Sequence, residues 1–258
     1  MITRSSFIFL YIVLGIASSI CAQSERRMVL GEQPVLKVPK TNETMVIDGK
    51  MDEPIWKNAE ARSFDAFYRV DKPTDEQQSI FKMVWDEQNL YLFYQFEDEY
   101  LTARETSRDG EPYNDDCAEI FIIPAPDSLE SHFGFELNIY KASNDFVYFN
   151  QYYKGKDYVF KAFDPEFEAE VTYHGSLNDN SDIDKGWTLE LRVPLATFSD
   201  LRSEMIPQEG VRWAIQAVRQ DRNDADGRRR STSTLFPIYD ASKGVHQANR
   251  FGLIEFTE

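Results

Sequence analysis

The feature that most constrains this chain is a series of short β-rich runs set close together, with turn residues between them. Ser79–Trp85, Leu90–Phe96, Ala118–Ile123, Phe133–Tyr140, Asp145–Tyr153, Phe167–Tyr173, Trp187–Val193, Trp213–Arg219 and Phe251–Phe256 follow one another along the sequence. Met45–Ile47 reads as a further short strand, stopped by the turn pair Asp48-Gly49. About ten strands at this spacing predict an all-β fold, an antiparallel β-sandwich. Only two stretches read as helical: Asp52–Ala61, with Asp52 as cap and Pro54 in the first turn, and Ala196–Leu201 after Pro194. They are too short and too few to supply the crossovers of a parallel sheet. The 19 Phe, 13 Tyr and 4 Trp suit strands and are expected mostly in the core.

A length of 258 residues suits one large β domain. Residues 1–22 read as an export signal: Arg4 gives the positive start, Phe7–Ile16 the apolar stretch, and Ser18–Ala22 lead to a cut before Gln23. The protein is therefore expected in the periplasm, at the cell surface or outside the cell. The apolar stretch is too short to span a bilayer, and the mature chain shows no transmembrane segment. Residues 23–44 read as a polar extension in which Pro34 and Pro39 confine any strand to a sheet edge. Residues 45–258 form the sandwich. Removal of Cys21 leaves Cys117 alone, expected as a small buried hydrophobe.

The formal net charge of −16 repels phosphate backbones, so nucleic acid is excluded as a partner. Arg228-Arg229-Arg230 is one basic spot among many acids and reads as local charge balance. There is no Gly-rich phosphate loop and no nucleophile elbow. His132, His174 and His246 are far apart in sequence, without metal-ligand spacing. The loop clusters Asp86-Glu87, Asp115-Asp116 and Asp221 to Asp226 are rich in the oxygen ligands calcium takes, though none has the EF-hand pattern. No cofactor is required.

Phe133–Tyr140 alternates cleanly. Phe133, Phe135, Leu137 and Ile139 point one way; Glu136, Asn138 and Tyr140 point the other. In the next run Tyr148, Asn150 and Tyr152 share a face. One sheet face is thus core, and the other carries amides, carboxylates and tyrosines together. That combination suits sugars, whose hydroxyls take polar partners and whose ring faces take aromatic planes. Glu119 and Glu136 lie on strands that can be neighbours, and two facing carboxylates are also the apparatus of glycoside hydrolysis, which stands as an alternative.

Several motifs in order along the chain carry a resemblance. They are Ile47-Asp48-Gly49 with Asp52-Glu53 and Trp56, Val84-Trp85-Asp86-Glu87 with Leu90-Tyr91, Asp116 with Ala118-Glu119-Ile120-Phe121, Phe135-Glu136-Leu137-Asn138, Gly186–Pro194, Trp213–Arg219, and Arg250-Phe251-Gly252. The sequence resembles the family 9 carbohydrate-binding modules over nearly all of residues 45–258. The resemblance implies a β-sandwich that binds oligo- or polysaccharide, often at the ends of plant polysaccharide chains, as a non-catalytic partner of glycoside hydrolases. It implies bound calcium as well, without placing its ligands. Residue by residue, it assigns Tyr113 to one side of an aromatic clamp and Glu119 and Asn138 to sugar hydroxyls. Glu136 stands where one branch of the family has a basic residue. The second clamp aromatic falls near Val245, beside His246; either another aromatic, Phe236 or Tyr239, replaces it, or the site is altered. The expected site is therefore Tyr113, Asp116, Glu119, Glu136, Asn138 and Arg219, with Tyr113 stacking, Asp116 orienting its loop and the others bonding hydroxyls. Glu119 and Arg219 have the alternative of a cross-strand salt bridge. A different ligand on the same sandwich, haem or a protein partner, remains as a further alternative.

Overall fold

The apolar runs pair into two sheets. The computed structural model describes residues 33–69, 77–126, 131–199, 205–222, 229–238 and 244–258. The export signal, the start of the extension, Arg228, most of the Asp221 to Asp226 cluster and Tyr239 lie outside them.

In chain order the strands are β1 (Val35–Pro39), β2 (Arg62–Ser63), β3 (Ala66–Phe67), β4 (Ser79–Trp85), β5 (Asn89–Phe96), β6 (Cys117–Ile123) and β7 (His132–Asn138). Then come β8 (Ser143–Tyr153), β9 (Lys156–Phe160), β10 (Glu168–His174), β11 (Gly186–Pro194), β12 (Arg212–Arg222), β13 (Arg229–Thr234) and β14 (Gly252–Thr257). The larger sheet runs β1-β14-β12-β6-β7-β8-β9, with β13 and β3 continuing from β12; the smaller runs β10-β11-β5-β4-β2. Among the described residues every pairing between these strands is antiparallel except β1 with β14. β1 lies within the polar extension and sits at a sheet edge, flanked by the prolines that forbid a central position.

Between the sheets lies one core. Phe81, Met83, Leu92, Tyr94, Phe96, Trp187, Leu189 and Leu191 from the smaller sheet meet Ile120, Ile122, Phe133, Phe135, Leu137, Trp213 and Ile215 from the larger. The alternation in β7 decides this: its odd positions enter the core, and its even positions stand on the far face of the larger sheet. That far face has an apolar cluster of its own, with Phe121, Phe146, Val218 and Phe251. Cys117 is buried in β6, and burial pushes its thiol well above the ordinary range.

Met45–Ile47 does not pair as a strand. Met45 and Ile47 instead pack with Ile55, Trp56, Val84, Tyr91 and Phe93 on the outer side of the smaller sheet, and burial in that cluster replaces ladder hydrogen bonds. Asp48-Gly49 turns as expected. Gly49 takes φ +77°, and the backbone N–H groups of Asp48 and Gly49 both donate to Glu190 Oε2 at 3.0 Å. This ties the opening motif to the β11 motif across the sequence. The helical expectation at Asp52–Ala61 shrinks to a 3-10 turn at Pro54–Lys57, which has no side-chain cap, so Asp52 does not serve as one. Ala196–Ser199 forms the single α-helical turn among the described residues. No helix among them is long and apolar enough to cross a membrane.

The β4–β5 hairpin turns on Asp86. Its Oδ1 accepts from the N–H of Gln88 (2.7 Å) and of Asn89 (2.6 Å), and its Oδ2 from the Tyr91 hydroxyl (2.7 Å). The acid thus organises the turn. We expect Asp86→Ala to cost about 1–2 kcal/mol in chemical denaturation, the scale of losing such bonds at a half-buried turn. An unchanged midpoint would show that the strands alone set the turn.

Candidate functional site

On the far face of the larger sheet, three neighbouring strands place polar side chains in one row. Glu119 on β6 stands opposite Glu136 on β7, which stands opposite Asn144 on β8. Such partners have Cβ atoms about 4.5–5.5 Å apart. Gln220 on β12 shares the face and donates Nε2 to Glu119 Oε1 at 2.8 Å; its Oε1 accepts from Thr232 at 2.7 Å, which fixes the amide. Asn144 Nδ2 donates to Glu136 Oε2 at 2.7 Å. Burial pushes the Glu136 carboxyl well above its usual range, the charge of Glu119 adds to this, and Lys161 opposes it.

These residues line a cavity of about 300 Å³, walled also by Tyr113, Phe146, Tyr148, Val159, Lys161, Val245 and His246. Tyr148 and His246 are stacked at 4.4 Å, and the Tyr148 hydroxyl donates to Asp157 at 2.7 Å. His132 lies beside them, 3.1 Å from His246 between ring nitrogens and 4.9 Å from Tyr148 between ring centres. Burial drives His132 well below the ordinary range and His246 to about 4, so both rings are neutral at physiological pH. Histidines remote in sequence thus meet in the fold, bonded to one another within an aromatic stack.

Tyr113 is presented by the 3-10 turn Pro112–Asn114. Arg222 clamps that turn from below, its guanidinium bonded to the carbonyls of Tyr113 and Asn114. Asp115 Oδ2 accepts from the N–H groups of Arg104 and Glu105, each at 2.8 Å, and from Asn138 Nδ2 at 2.8 Å.

Of the six residues expected from sequence, the structure brings Tyr113, Glu119 and Glu136 together at the cavity. The other three lie elsewhere. Asn138 shares the face with Glu136, but its amide is engaged by Asp115, the Glu105 carbonyl and the Ala142 N–H, so it braces the loop that carries Tyr113. Asp116 is buried behind the same loop, accepting from the N–H of Thr102 and of Arg222, each at 2.6 Å. Arg219 projects from the opposite face of β12 into the space between the sheets. It bonds Ser79 Oγ (2.6 Å), the Glu97 carbonyl (2.7 Å) and Asp98 (3.2 Å) and lies over the Phe96 ring. Its ion-pair partners are Asp98 and Asp221, in place of the expected Glu119. Phe236 packs in the core and does not replace the second clamp aromatic. Tyr148 and His246 join Tyr113 and Phe146 as rings at the cavity. Tyr148 was legible only as part of a shared strand face, and Gln220 and Asn144 lie one residue outside the β-rich runs Trp213–Arg219 and Asp145–Tyr153.

Asp98, Asp116 and Asp221 offer carboxylate oxygens within 4.8 Å of one another, all buried. Oxygen donors suit calcium. However, Arg219 already stands beside Asp98 and Asp221 as their cation, and both Asp116 oxygens accept backbone N–H groups. Burial raises Asp98 to about 7 and Asp116 well above its usual range. The set fits a proton-sharing cluster closed by arginine, and does not fit the calcium that the resemblance implies.

A sandwich with a polar and aromatic pocket on one sheet face defines a binding module. Residues 47–258 match the carbohydrate family 9 binding domain-like family, and the chain belongs to it. Domains of this family bind and do not catalyse. A family 9 carbohydrate-binding module from Caldicellulosiruptor kristjanssonii in complex with cellotriose is similar in structure, with a TM-score of 0.56 at 20% identity over 87% of this chain and 94% of that one. The glucose complex of a family 9 module from the same organism gives 0.54 at 20% identity, over 86% and 95%. A candidate carbohydrate-binding protein from Bacteroides uniformis gives 0.67 at 15% identity, over 87% and 99%. No curated protein matches the chain.

Proposed function

We propose that this chain is an exported carbohydrate-binding protein that receives a sugar ring in the cavity of the larger sheet and supports polysaccharide breakdown beside partner glycoside hydrolases. The observation that carries the reading is the convergence of Tyr113, Tyr148, Glu119, Glu136, Asn144 and Gln220 on one cavity of about 300 Å³. Two kinds of partner that a pyranose needs are present there: flat rings for its apolar faces, and fixed amides and carboxylates for its hydroxyls. The volume suits one or two sugar units, which agrees with recognition of a chain end. Export rests on residues 1–22 and hydrolase partnership on family membership.

Calorimetric titration against a panel of oligosaccharides tests the reading. We expect micromolar to millimolar binding, the range of about −8 to −4 kcal/mol. Tyr113→Ala should weaken it at least about tenfold, since a stacked ring contributes about 1–3 kcal/mol. An absence of heat with every sugar in the panel overturns the reading.

A further inference from the structure

One wall of the cavity is built on a pair of histidines. His132 is fully buried on β7, and His246 is half-buried at the cavity lining. His132 Nε2 and His246 Nδ1 are 3.1 Å apart, while the ring centres stand 5.2 Å apart with their planes 10° from parallel. The rings therefore meet edge to edge in nearly one plane, with a hydrogen bond along the line between them. Tyr148 lies flat against both, at 4.9 and 4.4 Å, and Phe121 packs against both, at 5.1 and 4.6 Å. The Tyr148 hydroxyl is held in turn by Asp157. The pair is fixed in place by its neighbours and by its own bond.

One proton lies between two neutral rings, and its position sets the state of both. Either both rings carry the proton on Nε2, with His132 donating, or both carry it on Nδ1, with His246 donating. His132 Nδ1 is buried with no hydrogen-bond partner among the described residues. The second arrangement strands an N–H there. The first leaves only a bare nitrogen, and it uses the intrinsically more stable tautomer of histidine in both rings. His132 then donates to His246 Nδ1, and His246 carries its proton on Nε2. With Nδ1 engaged, Nε2 is the polar atom that His246 offers to the cavity. We propose that His246 is a specificity-determining donor, its Nε2–H bonding an oxygen of the bound sugar, and that His132 is the positioning residue that holds it in that tautomer. The inference rests on the carbohydrate reading above and deepens it. An imidazole N–H only donates, so this wall selects a ligand oxygen that accepts.

The test is magnetic resonance of the protein isotope-labelled at its histidine nitrogens, kept at about pH 7 so that both rings are neutral, and titrated with cellotriose, xylotriose and mannotriose. In the free protein we expect both rings to show a proton on Nε2 and a bare Nδ1, with a coupling across the hydrogen bond that joins them. Saturation with a trisaccharide that binds should shift the His246 Nε2–H signal. His246→Phe keeps the ring and removes the donor, and should weaken that sugar about three- to tenfold, the loss of one hydrogen bond. In His132→Phe, with folding verified by its melting temperature, His246 should sample both tautomers and binding should fall by a smaller factor. Protons on Nδ1 in the free protein overturn the inference before any sugar is added. A trisaccharide that binds without moving the His246 Nε2–H signal, or that binds folded His246→Phe as tightly, also overturns it and leaves the carbohydrate reading intact. An unchanged His246 tautomer in folded His132→Phe overturns the positioning role. If none of the three trisaccharides nor any sugar of the wider panel binds, both readings fall.

Discussion

Arg219→Met is expected to destabilise the protein by about 3–5 kcal/mol, the scale of leaving buried carboxylates without their cation. The reason lies in what converges on this side chain. Asp98, Asp116 and Asp221 are each at most 3% exposed and lie within a few ångströms of one another, with Arg219 beside two of them. The guanidinium also joins the sheets, bonding Ser79 of the smaller sheet and the Glu97 carbonyl just past β5, while its backbone belongs to the larger. Methionine restores most of the volume and none of the charge or donors. Lysine restores the charge, but a single ammonium does not span Ser79, Glu97 and Asp98 as the planar fork does, so Arg219→Lys should recover only part of the loss. Chemical denaturation measures both. The penalty should shrink at pH 5, where protons take over the neutralisation, and grow at pH 8. A loss below about 1 kcal/mol at pH 8 would mean that protonation alone already balances the cluster.

The same residue shows where sequence reading stops. The strands were legible because aromatic and β-branched runs alternate and turn residues punctuate them. The opposition of Glu119 and Glu136 was legible as two strands able to neighbour each other. Arg219 and Gln220 were not separable, since adjacent residues in a strand face opposite sides and only the register shows which side is which. Sequence favoured the charged residue; the fold turned it inward and turned Gln220 to the cavity. Asn138 and Asn144 repeat the lesson on one face: both are amides, but a loop brought close by Asp115 occupies Asn138 and leaves Asn144 at the cavity wall. The short pairings β2, β3 and β13 are fixed by tertiary contact and carry no periodicity of their own. Most motif residues prove to be structural. Asp48, Gly49, Asp86, Asp115 and Glu190 make turns and hold motifs to one another, which is why the motifs report fold more faithfully than ligand.

Melting temperature is expected to fall as pH rises from 5.5 to 8, contrary to the behaviour of a protein held by surface ion pairs. Among the described residues these carboxylates are pushed upward, burial being the first cause in each: Asp98 and Glu190 to about 7, Asp145 to about 6, Asp116 and Glu136 well above their usual range. In the unfolded chain they return to ordinary values of 3.8 and 4.5. Between those limits the native state holds protons that the unfolded state releases, so the stability they contribute is full below about pH 4 and is lost as pH rises through the folded values. His132 and His246 act in the opposite sense, because burial keeps them neutral while the unfolded chain protonates them below 6.5. Their opposition fades as pH rises through 6.5, where the unfolded rings lose their protons, so toward pH 8 the carboxylates dominate, and at lower pH they outnumber the histidines. We expect a fall of about 5–10 °C from pH 5.5 to 8, a few kcal/mol for a chain of this size. The net charge of −16 contributes self-repulsion of the same sign, but salt screens that effect and does not reach the buried groups. The slope should therefore persist in high salt. A melting temperature that stays level or rises between pH 6.5 and 8 would mean that the buried carboxylates are ionised throughout, and the cluster around Arg219 would have to be held by charge alone.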